Sequence, residues 1–238
     1  MITRIEMGDI VAEVRQKDIK NVHLSVYPPD GAVRIAAPLH MNMESIRAFA
    51  LTKLGWIKAE QRKMRSQERE TPRLYLERES HFVWGRRYLL KIEEVNAPPG
   101  IDLSGDIMTM HVRPGVDDSG KRVVLENWYR REMFRALEEI RPDWEQKTGA
   151  VPDKVIIRKM KTKWGSYTAA SRTIVLNLDL VRKPLDCLEY ILVHELLHFI
   201  EPTHNARFIS LMNRHLPDWR HRRELLNSLP LKHEIWEH

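Results

Sequence analysis

The sequence predicts an α+β protein, with a β-rich N-terminal subdomain that carries one long helix, followed by a domain with a small β-sheet and several helices. Three observations support this class. Short β-rich runs separated by turn residues fill most of the first half. Longer segments carry apolar residues at three- and four-residue steps, which is the helical period. The turn-forming residues Pro114-Gly115 and Asp117-Asp118-Ser119-Gly120 separate the two parts, so we expect domains 1–118 and 119–238.

The N-terminal subdomain is predicted to consist of β-hairpins and one helix. Val22–Tyr27 and Ala32–Ala37 flank the turn sequence Pro28-Pro29-Asp30-Gly31. Met43–Gln67 has helical periodicity and a highly charged far end. A second hairpin is expected around Gly85-Arg86-Arg87. Further strands are predicted at Ile10–Val14, Ile101–Leu103 and Ile107–Val112.

The C-terminal domain is predicted to open with a helix from Lys121 to about Lys147, disturbed at Pro142 because proline lacks a backbone donor. Lys154–Met160 and Thr173–Leu178 have strand composition and flank a predicted turn at Lys163–Tyr167. We therefore expect these two strands to form a hairpin. Two short helices are predicted near the end of the chain, at Asn205–His215 and Arg220–Leu229.

Between these elements lies a helix that contains the sequence His194-Glu195-Leu196-Leu197-His198. It is expected to begin at Pro184, since proline is tolerated in the first turn, and to end before Pro202. Two histidines four residues apart on a helix face the same way, so both imidazoles can bind one metal ion. Glu195 lies beside them, where it can act as a general base toward water. This combination is typical of zinc hydrolases.

His204 is favoured as the third metal ligand. It follows His198 by six residues, and the stop at Pro202 allows the chain to turn back. Three imidazoles leave one position of a single Zn²⁺ ion open, which is the arrangement of catalytic rather than structural sites. Glu201 and Glu224 are the alternatives, because each lies in a segment that follows the helix.

A second histidine pair, His233 and His238, does not form a similar motif. Its five-residue spacing places the two side chains about 140° apart on a helix, so they share no face.

The composition limits the class of protein. At 238 residues and 42% hydrophobic content, the chain suits one large or two small domains with a buried core, and no internal repeat is evident. The net charge of +6 is compatible with a hydrated surface or with an acidic partner. The single cysteine, Cys187, excludes an intrachain disulfide. Because neither a secretory h-region nor an apolar run of about 18 residues is present, we expect a cytoplasmic protein with no membrane association.

The second half of the chain contains a dense set of motifs: Lys161–Ser166, Ile174–Asn177, His194–His198, His204 with Arg207-Phe208, and Pro217-Asp218-Trp219 with Arg222. In combination, these motifs resemble the YgjP-like metallopeptidase family, which is related to the zincin-like and SprT-like proteases. Weaker similarity continues through Ala37-Pro38 and Lys53–Ile57. Two positions depart from the family pattern: the position of Tyr167 is often cysteine in this family, and that of Asn205 is often serine.

The resemblance implies a zincin-like catalytic domain with an HExxH active-site helix. It also implies that His194, His198 and His204 bind zinc and that Glu195 is the base. Three residues ahead of the helix are candidates for substrate binding: Trp164, Ser166 and Tyr167.

Three functions are compatible with such a site. The favoured one is hydrolysis of a peptide or protein substrate. A nucleotide pyrophosphohydrolase is the second, because Arg158, Lys159, Lys161 and Lys163 could face phosphates. A nucleic-acid-associated protease is the third, based on basic groups such as Arg62, Lys63, Arg65 and Arg220, Arg222, Arg223. The oligomeric state is left open by the sequence.

Overall fold

The structure, a computed structural model, describes residues 2–27, 31–66, 75, 77–161 and 163–229. Its contacts divide the chain into two compact units: the second spans Arg73–Leu229, and the first contains the described residues before it. Both units combine a sheet with helices, which confirms the predicted α+β class. Within the described ranges, every helix is too short or too polar to span a lipid bilayer.

The first unit is a four-stranded sheet with two helices. Its strands lie in the order β1-β2-β4-β3, with β2 and β4 parallel and both outer pairs antiparallel. Alternate residues such as Ala12, Val14 and Ile35 are buried, as expected for a sheet with one covered face. They share a core with Ile46 and Ala50 of the first helix. The elements are β1 (Ile2–Met7), β2 (Ile10–Lys17), β3 (His23–Tyr27), β4 (Ala32–Pro38), α1 (Met43–Thr52) and α2 (Leu54–Ser66).

The single helix predicted over Met43–Gln67 is divided at Lys53. The Lys53 N–H donates to the carbonyl of Ala50, three residues back, at 3.0 Å, which tightens the last turn of α1. Gly55 follows directly, and glycine loses more backbone entropy in a helix than other residues do. The predicted helical period is therefore correct, but the structure has two helices where the sequence predicted one.

The second unit begins with a sheet of the same topology. Its strands lie in the order β5-β6-β8-β7, again with a parallel central pair and antiparallel outer pairs. A capped helix follows each sheet: Asn42 caps α1, and Asp117 caps the helix after the second sheet. The two sheets form a structural repeat that the sequence does not reveal, because topology depends on the pattern of buried positions rather than on residue identity. The strands are β5 (Ser80–Val83), β6 (Arg86–Glu94), β7 (Gly100–Ser104) and β8 (Ile107–Val112).

Helix α3 (Asp118–Thr148) continues through Pro142, contrary to the expected disturbance. The turn beyond the proline is held by tertiary contacts. Trp144 is buried, and its indole Nε1 donates to Glu189 Oε1 at 2.8 Å. This packing compensates for the hydrogen bond that proline cannot make.

The other sheet of this unit has three strands and differs from the predicted hairpin. Strands β9 (Lys154–Arg158) and β11 (Thr173–Asn177) are parallel neighbours, and β10 (Gly165–Thr168) is added to β11 as an antiparallel edge strand. The segment expected to be a turn therefore supplies a strand. A turn-rich composition such as Trp-Gly-Ser-Tyr conceals a short edge strand, whose hydrogen bonds involve one neighbour only.

Three helices complete the second unit: α4 (Leu185–Leu197), α5 (Ala206–His215) and α6 (Trp219–Ser228). Helix α4 begins at Leu185, one residue later than predicted, and Pro184 is its N-cap. The predicted hairpin of β5 and β6 turns at Trp84-Gly85 and packs beside this start, since Trp84 N–H donates to Val181 O at 2.7 Å. The loop between the strands thus helps to position the start of the helix that carries the predicted metal ligands.

The second unit has one hydrophobic core. Leu90 of β6, Met110 of β8, Met133 of α3 and Leu192 of α4 all belong to it. This shared core explains why the compact units divide before Arg73, whereas the sequence placed a domain boundary between residues 118 and 119.

Some predicted features fall outside the described residues. They are the turn residues Pro28, Pro29 and Asp30, the helix end at Gln67, the side chains of Lys63 and Arg65, the motif residue Thr162, and the histidines His233 and His238.

Candidate metal centre

Helix α4 carries His194 and Glu195 in its last turn, and His198 is its C-cap. The helix is apolar on most sides, and Leu192, Val193 and the carboxylate-bearing Glu195 are buried. The two histidines are half-buried on the same face, with ring centroids 4.9 Å apart. The helical spacing thus brings both imidazoles to one edge of the core.

The helix ends at Leu197, although Pro202 alone would allow it to continue for several more residues. Phe199 and Ile200 N–H groups donate to the carbonyls of Leu196 and Leu197, which turns the chain back in a tight loop. Inside this loop His198 Nδ1 lies 3.0 Å from the carbonyl oxygen of Glu201. Because a carbonyl oxygen only accepts, Nδ1 carries the proton and Nε2 keeps its lone pair for a metal.

His204 reaches the two helical histidines from this loop. Its Nε2 lies 2.9 Å from His194 Nε2, and its ring centroid is 4.8 Å from that of His198. The potential ligand atoms of the three residues lie within 4.8 Å of one another. Two nitrogens bound to one tetrahedral ion at 2.0–2.1 Å lie about 3.3 Å apart. The three histidines therefore offer a donor set that can bind a single divalent ion.

The two alternative ligands lie elsewhere. Glu201 Oε1 accepts from the Thr203 hydroxyl at 2.9 Å, so its carboxylate is bound within the loop. Glu224 is exposed on α6. In the described part of the chain, the group able to hold a metal consists of His194, His198 and His204 alone.

Phe208 belongs to the site, although the sequence indicated it only as a member of the family motifs. Its ring packs against all three imidazoles, with centroid distances of 4.9 Å to His194, 4.7 Å to His198 and 4.9 Å to His204. Asn205 caps α5 by accepting from the Phe208 N–H at 3.0 Å. One residue after the third histidine therefore fixes the ring that supports the triad, a role that serine could also fulfil.

Burial lowers the pKa of two of the three histidines. It is the main reason why the pKa of His194 falls to about 3, and the charge of Arg223, with those of His198 and His204 when they are protonated, lowers it further. The pKa of His204 is lowered as well, mainly by burial. Both imidazoles are therefore neutral at physiological pH, which is the form that binds metals.

Glu195 is buried beside the triad, and burial raises the pKa of its carboxyl group to about 7. The charge of Lys163 and a hydrogen bond from the Tyr167 backbone N–H oppose this effect. A pKa near 7 suits a group that must accept and then release a proton at neutral pH.

Strand β10 runs past Glu195. A Cβ on Gly165 would meet Glu195 Oε1 at 2.7 Å, so only glycine allows this approach. The strand also places the candidate substrate residues. Ser166 is half-buried on the strand, and Trp164 precedes it and packs on the core. The ring of Tyr167 stacks on Phe199 at 4.1 Å, which accounts for it as a packed aromatic.

Two further polar residues stabilise the elements that carry the site. Buried Asn177 donates through Nδ2 to the carbonyls of Met160 and Lys163, at 3.0 and 2.9 Å, and so fixes the segment that leads into β10. Arg222 of α6 forms an ion pair with Glu189 of α4. Both lie in the motifs that carried the family resemblance, but their structural roles could not be inferred from spacing.

Together, these features are those of a metal-dependent hydrolase. The model of the family described as "YgjP-like, metallopeptidase domain" matches residues 20–229. The chain belongs to this family, so it is a peptidase-type hydrolase that requires a divalent metal.

Comparison with curated proteins yielded no significant match. Among solved structures, the metallopeptidase zymogen abylysin of Pyrococcus abyssi shares 19% identity over 40% of this chain and 98% of that chain, with a TM-score of 0.36. The zymogen jannalysin of Methanocaldococcus jannaschii shares 20% identity over 38% of this chain and 87% of that chain, with a TM-score of 0.34.

Proposed function

We propose that the protein is a zinc metallopeptidase in which His194, His198 and His204 bind one zinc ion and Glu195 is the general base. The observation that carries this proposal is the convergence of three imidazoles beside a buried carboxylate. Imidazole nitrogens suit zinc, and three of them leave a coordination position open for catalysis.

A zinc ion held by His194, His198 and His204 would supply Lewis acidity, which would lower the pKa of water and polarise the scissile carbonyl. The residues of the chain supply the rest. Glu195 Oε accepts the proton of the attacking water and passes it to the leaving amine nitrogen. The Tyr167 N–H holds this carboxylate in place, and Gly165 gives it room. The apolar surroundings that raise the pKa of Glu195 also exclude bulk water from the proton transfer.

Strand β10 favours a peptide as the substrate. It is the antiparallel edge of its sheet within the described residues, and it lies against the helix that carries Glu195. An extended peptide can add to such an edge through main-chain hydrogen bonds, which places a backbone carbonyl near the catalytic groups. Trp164, Ser166 and Tyr167 are the proposed substrate-binding residues of this edge.

The nucleotide and nucleic-acid alternatives depend on basic residues. Among the basic residues that suggested phosphate binding, Lys159 forms an ion pair with Glu126, which reduces its availability for phosphates. Binding to DNA that weakens with salt would favour a nucleic-acid role.

Metal analysis of wild-type, His204→Ala and Glu195→Gln proteins tests the proposal, with peptides and nucleoside triphosphates assayed in parallel. We expect one zinc per wild-type chain, loss of zinc from His204→Ala, and zinc without turnover in Glu195→Gln. Peptide hydrolysis by Glu195→Gln at the wild-type rate would refute the role of Glu195, and hydrolysis of nucleotides alone would refute the peptidase assignment.

A further inference from the structure

Two cationic side chains, Lys163 and Arg223, lie near the candidate metal centre. Lys163 stands two residues before Gly165, and its carbonyl is held by Asn177 at 2.9 Å. Arg223 lies on α6, which packs against α4. Neither side chain forms an ion pair with a carboxylate among the described residues, whereas neighbouring Arg172 pairs with Asp153 at 3.0 Å.

The position of Arg223 follows from the packing of α6. Trp219, Arg222, Arg223 and Leu226 form one stripe at helical spacing, because residues three and four apart share a face. Arg222 contacts Glu189 of α4, Leu226 is buried and Trp219 packs on the core, so the stripe faces inward. Arg223 nevertheless remains exposed. Arg223 therefore lies at the border between the packed and the exposed faces of α6.

The metal centre lies close to this border, because Tyr190, the residue after the Arg222 partner Glu189, has its ring 6.0 Å from that of His194. After burial, the charge of Arg223 contributes to the lowered pKa values of His194 and His204, and it opposes the burial that raises the pKa of Tyr190. The charge of Lys163 acts in the same way on Glu195 from the side of β10. The two cations therefore flank the catalytic groups from different elements.

The carboxylates nearby are already engaged. Glu201 lies 3.8 Å from Arg207 and bonds to Thr203, and Glu189 binds Arg222 and Trp144. On α6, the residues three and four positions from Arg223 carry no acid. With a divalent ion bound, the site would hold the charges of that ion, Lys163 and Arg223 against the single carboxylate of Glu195. Such a site favours a ligand that brings negative charge.

We infer that Lys163 and Arg223 form a cationic rim that selects peptides with a carboxylate next to the scissile bond, either an acidic side chain or a free C-terminus. This inference rests on the proposed peptidase function. It assigns a substrate class to the site, and the edge strand favours a peptide over other anions of the same charge.

Matched peptides test the rim. One set differs by Asp or Asn on either side of the scissile bond, and a second differs by a free or amidated C-terminus. We expect the wild-type protein to cleave the charged member of at least one pair with a kcat/KM about tenfold higher, and Lys163→Met or Arg223→Met to lose this preference. High salt should reduce it as well. Arg220→Met is the matched control, because Arg220 lies over the Trp219 ring at 4.5 Å and contacts Asn213 instead.

Binding separates the rim from the peptidase function. Zinc-loaded Glu195→Gln, measured by fluorescence anisotropy with the same labelled peptides, should bind the charged member more tightly, and adding Arg223→Met should remove the difference. Equal cleavage and equal binding of both members would overturn the rim and leave the peptidase intact. Charge-selective binding without any peptide cleavage by the wild type would support the rim and refute the peptidase. Tighter binding of a nucleoside triphosphate than of any acidic peptide would overturn the assignment to peptides.

Discussion

Gly165 and Glu195 are in such close contact that a single added methyl group would not fit between them. A Cβ on Gly165 would lie 2.7 Å from Glu195 Oε1, 2.7 Å from Ile191 Cγ2 and 2.9 Å from Glu195 Cγ. The edge strand and the carboxylate therefore determine each other's position. This contact explains why a glycine precedes the strand residues that the substrate is expected to meet.

Gly165→Ala is therefore expected to displace the Glu195 carboxylate while leaving the three histidines in place. A misplacement of about 1 Å can lower turnover by about 100-fold, and overpacking costs about 1–3 kcal/mol of stability. Steady-state peptide hydrolysis, zinc content and thermal denaturation measure the three quantities. We expect kcat to fall strongly and zinc content to stay at the wild-type level.

Gly100→Ala is the matched control in the same unit, because a Cβ there meets nothing within 4 Å. It should change neither kcat nor zinc content. Wild-type turnover in Gly165→Ala would show that the carboxylate tolerates displacement and would contradict its close positioning.

The buried carboxyl of Glu195 is expected to make the stability of the metal-free protein depend on pH. Burial raises its pKa from 4.5 to about 7, so the folded protein holds this proton more tightly than the unfolded chain. Stability is therefore lost as the pH rises from about 4.5 to about 7. Glutamine does not ionise, so Glu195→Gln should be more stable than wild type above pH 7 by about 3 kcal/mol, at 1.36 kcal/mol per pKa unit.

Urea denaturation in the presence of a chelator, from pH 4 to pH 8, measures this difference. The two proteins should be equally stable near pH 4, where both carry a neutral group at position 195. The low pKa of His194 affects both proteins alike and cancels in the comparison. A constant difference at all pH values would contradict a raised pKa for Glu195.

The part of the site that could be predicted from the sequence is local. His194, Glu195 and His198 lie within one helical turn, so the geometry of the helix alone brings them together. His204 could be predicted because a short turn has few ways to return to the helix. The family motifs also contain Gly165, Asn177 and Arg222, but the motifs do not specify which contacts these residues make.

The remainder depends on contacts between distant segments. The pairing of β9 with β11 leaves β10 at the edge, and no spacing within Lys154–Asn177 distinguishes this arrangement from a simple hairpin. Phe208 carried an apolar signal that fits any core residue. Arg223 looked like one of several exposed basic residues until the packing of α6 defined its surroundings.

Phe208 is expected to contribute to metal affinity as well as to stability. Its ring contacts all three imidazoles, so Phe208→Ala should cost about 3–5 kcal/mol of stability and weaken zinc binding by about 10- to 100-fold. Competition with a chromophoric chelator measures the affinity. Met212→Ala, which creates a cavity one turn further along α5, is the control and should lower stability with a smaller effect on zinc. Equal losses of zinc affinity in both variants would contradict an orienting role for the ring.

Asn205 is expected to link the cap of α5 to the third histidine. Its side chain accepts from the Phe208 N–H at 3.0 Å and donates to Thr203 Oγ1 at 3.1 Å, on either side of His204. Asn205→Ala should therefore cost about 1 kcal/mol as a lost cap and also reduce the rise in Tm that zinc produces, whereas Asn205→Ser should retain both. Asn42 caps α1 in the same way, through the Ser45 N–H at 2.8 Å, so Asn42→Ala provides a control with the same chemistry in the other compact unit. Asn42→Ala should lower stability without changing the rise in Tm that zinc produces. If zinc raises the Tm of Asn205→Ala as much as that of wild type, the cap does not position His204.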